Sequence, residues 1–214
     1  MTCYWQNKYI VKKMKDKEEK KIEKDNGTVY RIGIIGTGRI AARFLAEARE
    51  VKAAEVTIVY NPKRESAQKF EQQWNVQSTD DLMLFFLMSD IVYVASPHET
   101  HYGYIQKALQ KDKHVISEKP MVLKKAEAEK LCRLAEERNL ILLEGIKTLY
   151  CPGYQMVLKL VAGGTIGTLC NVEACFTKLE KRHTRELNDT LYGGSFTELG
   201  SYGLLPVLQL LGNN

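Results

Sequence analysis

Residues 31–41 read R-I-G-I-I-G-T-G-R-I-A, and this stretch constrains the fold most. An apolar run (Ile32, Ile34, Ile35) enters a turn carrying Gly36 and Gly38, with Ala41 three residues on. A helical pattern, Ile40 to Glu50, follows at once. Gly36 lets the chain turn sharply out of a strand. Gly38 removes a side chain where a pyrophosphate must approach the backbone, and Ala41 lets the new helix pack close to the strand. The amides of the helix's first turn are then free to hold phosphates. Strand, turn and helix in this order predict a dinucleotide site over Gly36, Thr37, Gly38, Arg39 and Ile40. The competing reading is a glycine turn with a purely structural role.

Downstream, strand and helix patterns alternate. The apolar spacing predicts strands over 29–35, 55–60, 91–95, 114–117 and 140–144, with a short one around Val76. Helices are predicted over 39–50, 65–74, 101–111 and 124–138, and over the run to Met88 capped by Asp80 or Asp81. Such alternation with short connections predicts an α/β fold, a doubly wound parallel sheet covered by helices on both faces. Six strands ending near residue 145 fit one complete dinucleotide-binding domain, residues 29–145.

From Gly145 the character changes. Tyr150-Cys151-Pro152 opens a helix to Ala162 that Gly163-Gly164 stops. Residues 169–177 alternate as a longer strand, a charged loop follows, and Gly193-Gly194 precede an apolar helix over 198–211. Residues 146–214 read as part of a second α/β domain. A lone strand there lacks partners for its backbone groups. The expectation is a fragment, or a chain completed by another copy or another protein through this second domain.

Residues 1–28 hold eight lysines against five acids, and their apolar positions make no continuous stripe. They read as a flexible basic extension. Much of the formal charge of +5 lies there, so no basic face interleaved with aromatics is left to bind nucleic acid. The most apolar stretch, 82–95, is interrupted by Ser89-Asp90 and is too short to span a bilayer. The five cysteines include no C-x-x-C pair and are odd in number, which argues for a reducing, cytoplasmic setting. Neither they nor the four histidines have zinc-type spacing, so no metal is expected.

Three more segments fit the same picture: Ala95 to His101 (A-S-P-H-E-T-H), Ser117 to Pro120 (S-E-K-P) and Gly193 to Tyr202 (G-G-S-F-T-E-L-G-S-Y). The first two follow strands, where ligands of open parallel sheets bind. Together with the glycine turn, and in this order, they resemble the glucose–fructose oxidoreductase / inositol dehydrogenase / rhizopine-catabolism (Gfo/Idh/MocA) family, from about Val29 onward. The resemblance implies an N-terminal Rossmann domain binding NAD or NADP. It also implies a C-terminal domain carrying a sugar, polyol or dihydrodiol-like alcohol, and hydride transfer between the two. Members are two-domain proteins of more than about 300 residues, so the resemblance makes this chain a truncated one.

The resemblance places the acid–base pair on Lys119 and Tyr202. Alcohol oxidation needs a base for the hydroxyl proton, and an ammonium beside a phenol favours the phenolate. Many members carry Asp and His where this chain has Glu198 and Tyr202, which sets it nearer the glucose–fructose oxidoreductase and dihydrodiol dehydrogenase branch. Ser96, Pro97, His101 and Glu118 are expected around the cofactor, with His101 capping a helix or lining the nicotinamide pocket. The second strand lacks the terminal acid that binds an NAD ribose. Asn61 stands there, with Lys63 and Arg64 close by, so the reading leans to NADP. A non-catalytic dinucleotide-binding module is the alternative.

Overall fold

The computed structural model describes residues 28–180 and 183–212. The readings of the basic extension fall on residues 1–27, outside the described residues. The chain divides into two compact units, with the break after Glu144.

The first unit runs β1 (Tyr30–Ile35), α1 (Arg39–Ala48), β2 (Ala54–Tyr60), α2 (Arg64–Trp74), β3 (Ser78–Thr79), α3 (Leu82–Leu87), β4 (Ile91–Val94), α4 (His98–Gln110), β5 (His114–Ser117), α5 (Lys125–Glu137) and β6 (Leu142–Glu144). Its sheet has the order β3-β2-β1-β4-β5-β6, with every pairing parallel. The two-residue strand period sorts side chains between two cores. Ile32, Ile34, Val59 and Tyr93 join Ala41 and Leu45 of α1 and Phe70 of α2 on one face. Ile35, Ile58, Val92 and Val94 join Phe85, Phe86, Ile105, Leu109 and Leu131 from α3, α4 and α5 on the other. Both faces are therefore covered, as parallel sheets require.

Close packing explains Gly33. A Cβ there would stand 2.6 Å from the Phe85 ring, so the ring lies directly on the β1 backbone. Asp81 caps α3, accepting the amides of Met83 at 2.7 Å and Leu84 at 3.3 Å. The helix predicted over 101–111 starts three residues earlier, at His98, because Pro97 serves as its N-cap.

The second unit contains α6 (Lys147–Tyr150), α7 (Pro152–Ala162), α8 (Arg185–Asn188) and α9 (Ser195–Leu211). The strand expected over 169–177 is not formed. Alternation alone does not make a strand; it needs a neighbour to complete its hydrogen bonds, and no described residue of this unit supplies one. The helix expected from Glu198 begins at Ser195, directly after Gly194. One cysteine departs from the expected free thiols: Cys132 on α5 is disulfide-bonded, whereas Cys151, Cys170 and Cys175 are free. Among the described residues no helix is long and apolar enough to cross a membrane, and no group of three His, Cys, Asp or Glu could hold a metal ion.

Candidate functional site

The strand order reverses between β1 and β4, which opens a crevice at their carboxyl ends. Gly36 stands at its lip with φ +112°. A Cβ there would approach the Ala95 carbonyl oxygen at 2.6 Å, so both conformation and packing demand glycine. Its amide donates to the Tyr60 carbonyl at 2.9 Å, tying the turn to β2.

Gly38 is different. It is the N-cap of α1 with φ −86°, a value open to any residue, and a Cβ there would meet no atom of a described residue within 4 Å. Protein packing therefore does not ask for glycine at 38; space for something else does. Among the described residues no side chain caps α1, and no acid sits in its first turn. The amides that begin at Arg39 and Ile40 thus end on open space at the positive end of the helix dipole. A cradle of this kind suits a pyrophosphate.

Asn61 follows β2. Its side-chain amide donates to the Thr37 hydroxyl at 2.6 Å, and its carbonyl oxygen accepts the Lys63 amide at 2.9 Å. Asn61 thus braces the glycine turn from the side. Arg39, Lys63 and Arg64 are exposed, and none forms an ion pair with a described residue. Nearby lies a recess of about 190 Å³ lined by Tyr60, Leu82, Thr100, Gly103, Tyr104 and Lys107. Burial, the Tyr104 hydroxyl and the acids Asp80 and Asp81 push the Tyr60 phenol up to about 12.

Past β4 and β5 the chain builds a second wall. Ser96 and Pro97 lead into α4, and the Thr100 hydroxyl ties this corner together, 2.7 Å from both Ser96 Oγ and the Pro97 carbonyl oxygen. Glu118 donates its amide to Val94 at 2.8 Å, and its carboxylate accepts the Tyr93 hydroxyl. Tyr93 is itself clamped by Phe44, the rings stacked at 3.6 Å. Lys119 follows, with a cis peptide to Pro120. Lys119 therefore sits on the same carboxyl edge of the sheet as the glycine turn.

His101 takes a post the sequence did not indicate. It is fully buried, with Nδ1 2.9 Å from the Pro120 carbonyl oxygen and Nε2 2.8 Å from that of Ser96. Both ring nitrogens face main chain, so the imidazole latches the β4 loop to the Lys119 loop rather than lining a pocket. Burial holds it below the ordinary histidine range and His98 adds to this, while the two carbonyls and Glu118 pull the other way.

Sequence reasoning also passed over Glu144. It ends β6, opposite Ser117, and accepts the Met121 amide at 2.8 Å. Burial raises its proton affinity first of all; the Met121 amide and the Lys119 charge oppose this, and Glu118 adds to it. The one available signal was an acid closing the otherwise apolar strand Leu142-Leu143-Glu144. In the second unit, Tyr202 lies on α9 and stacks on Phe176 with centroids 4.6 Å apart. Glu198 occupies the first turn of α9, where a carboxylate favours the helix.

A six-stranded parallel sheet of this order, with an open glycine turn at its switch point, defines a Rossmann fold of the dinucleotide-binding class. Residues 30–146 match the oxidoreductase family with NAD-binding Rossmann fold (Gfo/Idh/MocA), and the chain belongs to that family. It is 29% identical over 195 residues to the dTDP-3,4-didehydro-2,6-dideoxy-alpha-D-glucose 3-reductase of Actinomadura kijaniata, covering 87% of this chain and 58% of that protein. It is 28% identical to the scyllo-inositol 2-dehydrogenase (NADP(+)) IolU of Bacillus subtilis, covering 86% and 59%. The crystal structure of KijD10, a 3-ketoreductase from Actinomadura kijaniata in complex with NADP and TDP-benzene, superimposes with a TM-score of 0.77 at 28% identity, covering 86% of this chain and 58% of that one. The chain thus spans less than two thirds of the length of these relatives.

Proposed function

We propose that the protein is an NAD(P)-dependent oxidoreductase. It moves a hydride between the nicotinamide and a hydroxyl-bearing carbon of a sugar, polyol or dihydrodiol-like substrate. The unfilled space over Gly38, at an uncapped helix terminus on the same sheet edge as Lys119, carries this reading. The amides at the start of α1 would hold the pyrophosphate, and Asn61 keeps their turn in place through Thr37. Ser96, Pro97 and Glu118 wall the nicotinamide side. When bound, the nicotinamide supplies the hydride chemistry. Lys119 and Tyr202 handle the proton at the substrate oxygen, Lys119 as the cation that stabilises an oxyanion and Tyr202 as the proton carrier.

The cofactor is NADP in this reading. Lys63 and Arg64 follow Asn61 at the end of β2, where a 2′-phosphate would lie, and Asn61 stands in place of the acid that would repel it. The relatives named for NADP(+) or solved with NADP support the same choice. Fluorescence titration with NADPH and NADH separately is the test, with NADPH expected to bind the tighter. Replacing Lys63 and Arg64 together by Ala is expected to weaken NADPH about tenfold or more, since charge-assisted hydrogen bonds are lost. An unchanged affinity removes the ground for NADP, and binding of neither cofactor ends the oxidoreductase reading. Lys119→Ala is expected to cut turnover at least about a hundredfold while cofactor affinity holds.

A second reading is a dinucleotide-binding subunit completed by another chain or another copy. It draws on the length shortfall against relatives and on exposed residues 170–171 and 173–179, which form no strand with any described residue. Alcohol-dependent NADP reduction by the isolated chain favours the first reading; a complex in solution with activity confined to it favours the second. A cytoplasmic setting suits the three free thiols, and the disulfide at Cys132 counts against it.

A further inference from the structure

Glu144 has no part in the chemistry outlined above, yet it is a half-buried carboxylate close in register to the Lys119 loop. Register pairs it with fully buried Ser117, and the next two residues are Glu118 and Lys119. Its Oε1 accepts the Met121 amide at 2.8 Å, which fixes the loop on the far side of Lys119-Pro120. The near side is fixed by the Glu118 amide on Val94 at 2.8 Å and by the Tyr93 hydroxyl on the Glu118 carboxylate. The loop is therefore held from β4 through one acid and from β6 through another. The charges that act on Glu144 are those of Lys119 and Glu118, and His101 on α4 holds the same loop at Pro120. A desolvated acid destabilises a fold unless neighbouring charge and hydrogen bonds offset its burial. Here the offset comes from the Met121 amide and the Lys119 ammonium.

We infer that Glu144 is a positioning residue for Lys119, anchoring its loop through Met121 and serving as counter-charge to its ammonium. This rests on the reading that Lys119 acts on substrate. The two tasks separate in Glu144→Gln, whose amide oxygen still accepts the Met121 amide while the charge is gone.

Competitive acetylation with acetic anhydride at mildly alkaline pH, read by peptide mass spectrometry, reports the relative reactivity of each lysine. Exposed Lys52 and Lys111 serve as internal references. In Glu144→Gln, Lys119 is expected to label at least about threefold faster relative to these references than in the wild type, because its side chain loses the carboxylate that holds it in place. A purely structural Glu144 leaves that ratio unchanged, and an unchanged ratio overturns the proposal. Should the Gln variant not fold, Glu144→Met carries the same test, since an apolar side chain of similar size is tolerated where a buried charge was. The labelling needs neither cofactor nor substrate. Failure of NADPH to bind would sink the oxidoreductase reading and leave the ratio as it stands. With both intact, Glu144→Gln lowers kcat more than it changes KM or NADPH affinity.

Discussion

Two glycines of the same turn have different reasons to be glycine. Gly36→Ala forces a Cβ against the Ala95 carbonyl and an L-residue to φ +112°. Strain and overpacking together cost about 2–4 kcal/mol, and the melting temperature is expected to drop accordingly. Gly38→Ala meets no atom and keeps an ordinary φ, so stability should stay within about 0.5 kcal/mol. Its methyl group instead occupies the space meant for phosphate, and NADPH affinity is expected to fall at least about tenfold. Equal affinity in Gly38→Ala and wild type would leave the open space without a ligand. The turn was legible because its meaning is local: strand, glycines and helix follow one another directly. His101 and Glu144 were not legible, because their roles arise from where β4, β5 and β6 bring distant loops together.

Glu144 also bears on pH. Its native proton affinity is raised by burial, so between the ordinary carboxylate value and the raised one the folded state holds more protons than the unfolded. Stability from this group is fully present below the ordinary value and is lost as pH rises through the raised one. His101, held below its ordinary value, works in the opposite direction and is common to both proteins. Thermal melts of wild type and Glu144→Gln across mildly acidic to neutral pH therefore isolate Glu144. The variant is expected to lose less stability on going to neutral pH; parallel curves would show that the carboxylate is not desolvated as described.

At the scale of elements, α3 shows how a short helix is made and seated. Asp81 holds its first amides, and Phe85 lays its ring on the β1 backbone at Gly33. Asp81→Ala should cost about 1 kcal/mol, the usual worth of a cap. Phe85→Ala removes a fully buried ring that Gly33 exists to receive, and should cost about 3–5 kcal/mol. Denaturant melts distinguish the two. Equal costs would mean that α3 is held by its cap and not by its packing. The cap was readable as one of two aspartates before an apolar run, but the pairing of Phe85 with Gly33 was not, since the two are 52 residues apart in sequence. Helix α4 shows the opposite error: Pro97 fits an N-cap, so the helix starts at His98 rather than His101.

At the scale of the whole molecule, the two units differ in what holds them. The first buries two apolar cores against one parallel sheet, and its topology followed from the alternation of strand and helix patterns. In the second, residues 169–180 form no regular structure, and Phe176 and Leu179 are exposed. Alternation over 169–177 was a true feature of the sequence, but a strand is a relation between two segments and the second is not supplied. Exposed backbone without a ladder opens readily to protease. Among the described residues, limited trypsin digestion is therefore expected to cut first at Lys178, which is exposed, and to leave the sheet of the first unit intact. Adding NADPH should slow later cuts in the first unit and leave the rate at Lys178 unchanged, because the cofactor stabilises only the unit that holds its turn. First cuts within 30–144, or protection of Lys178 by NADPH, would show that the two units do not differ in this way.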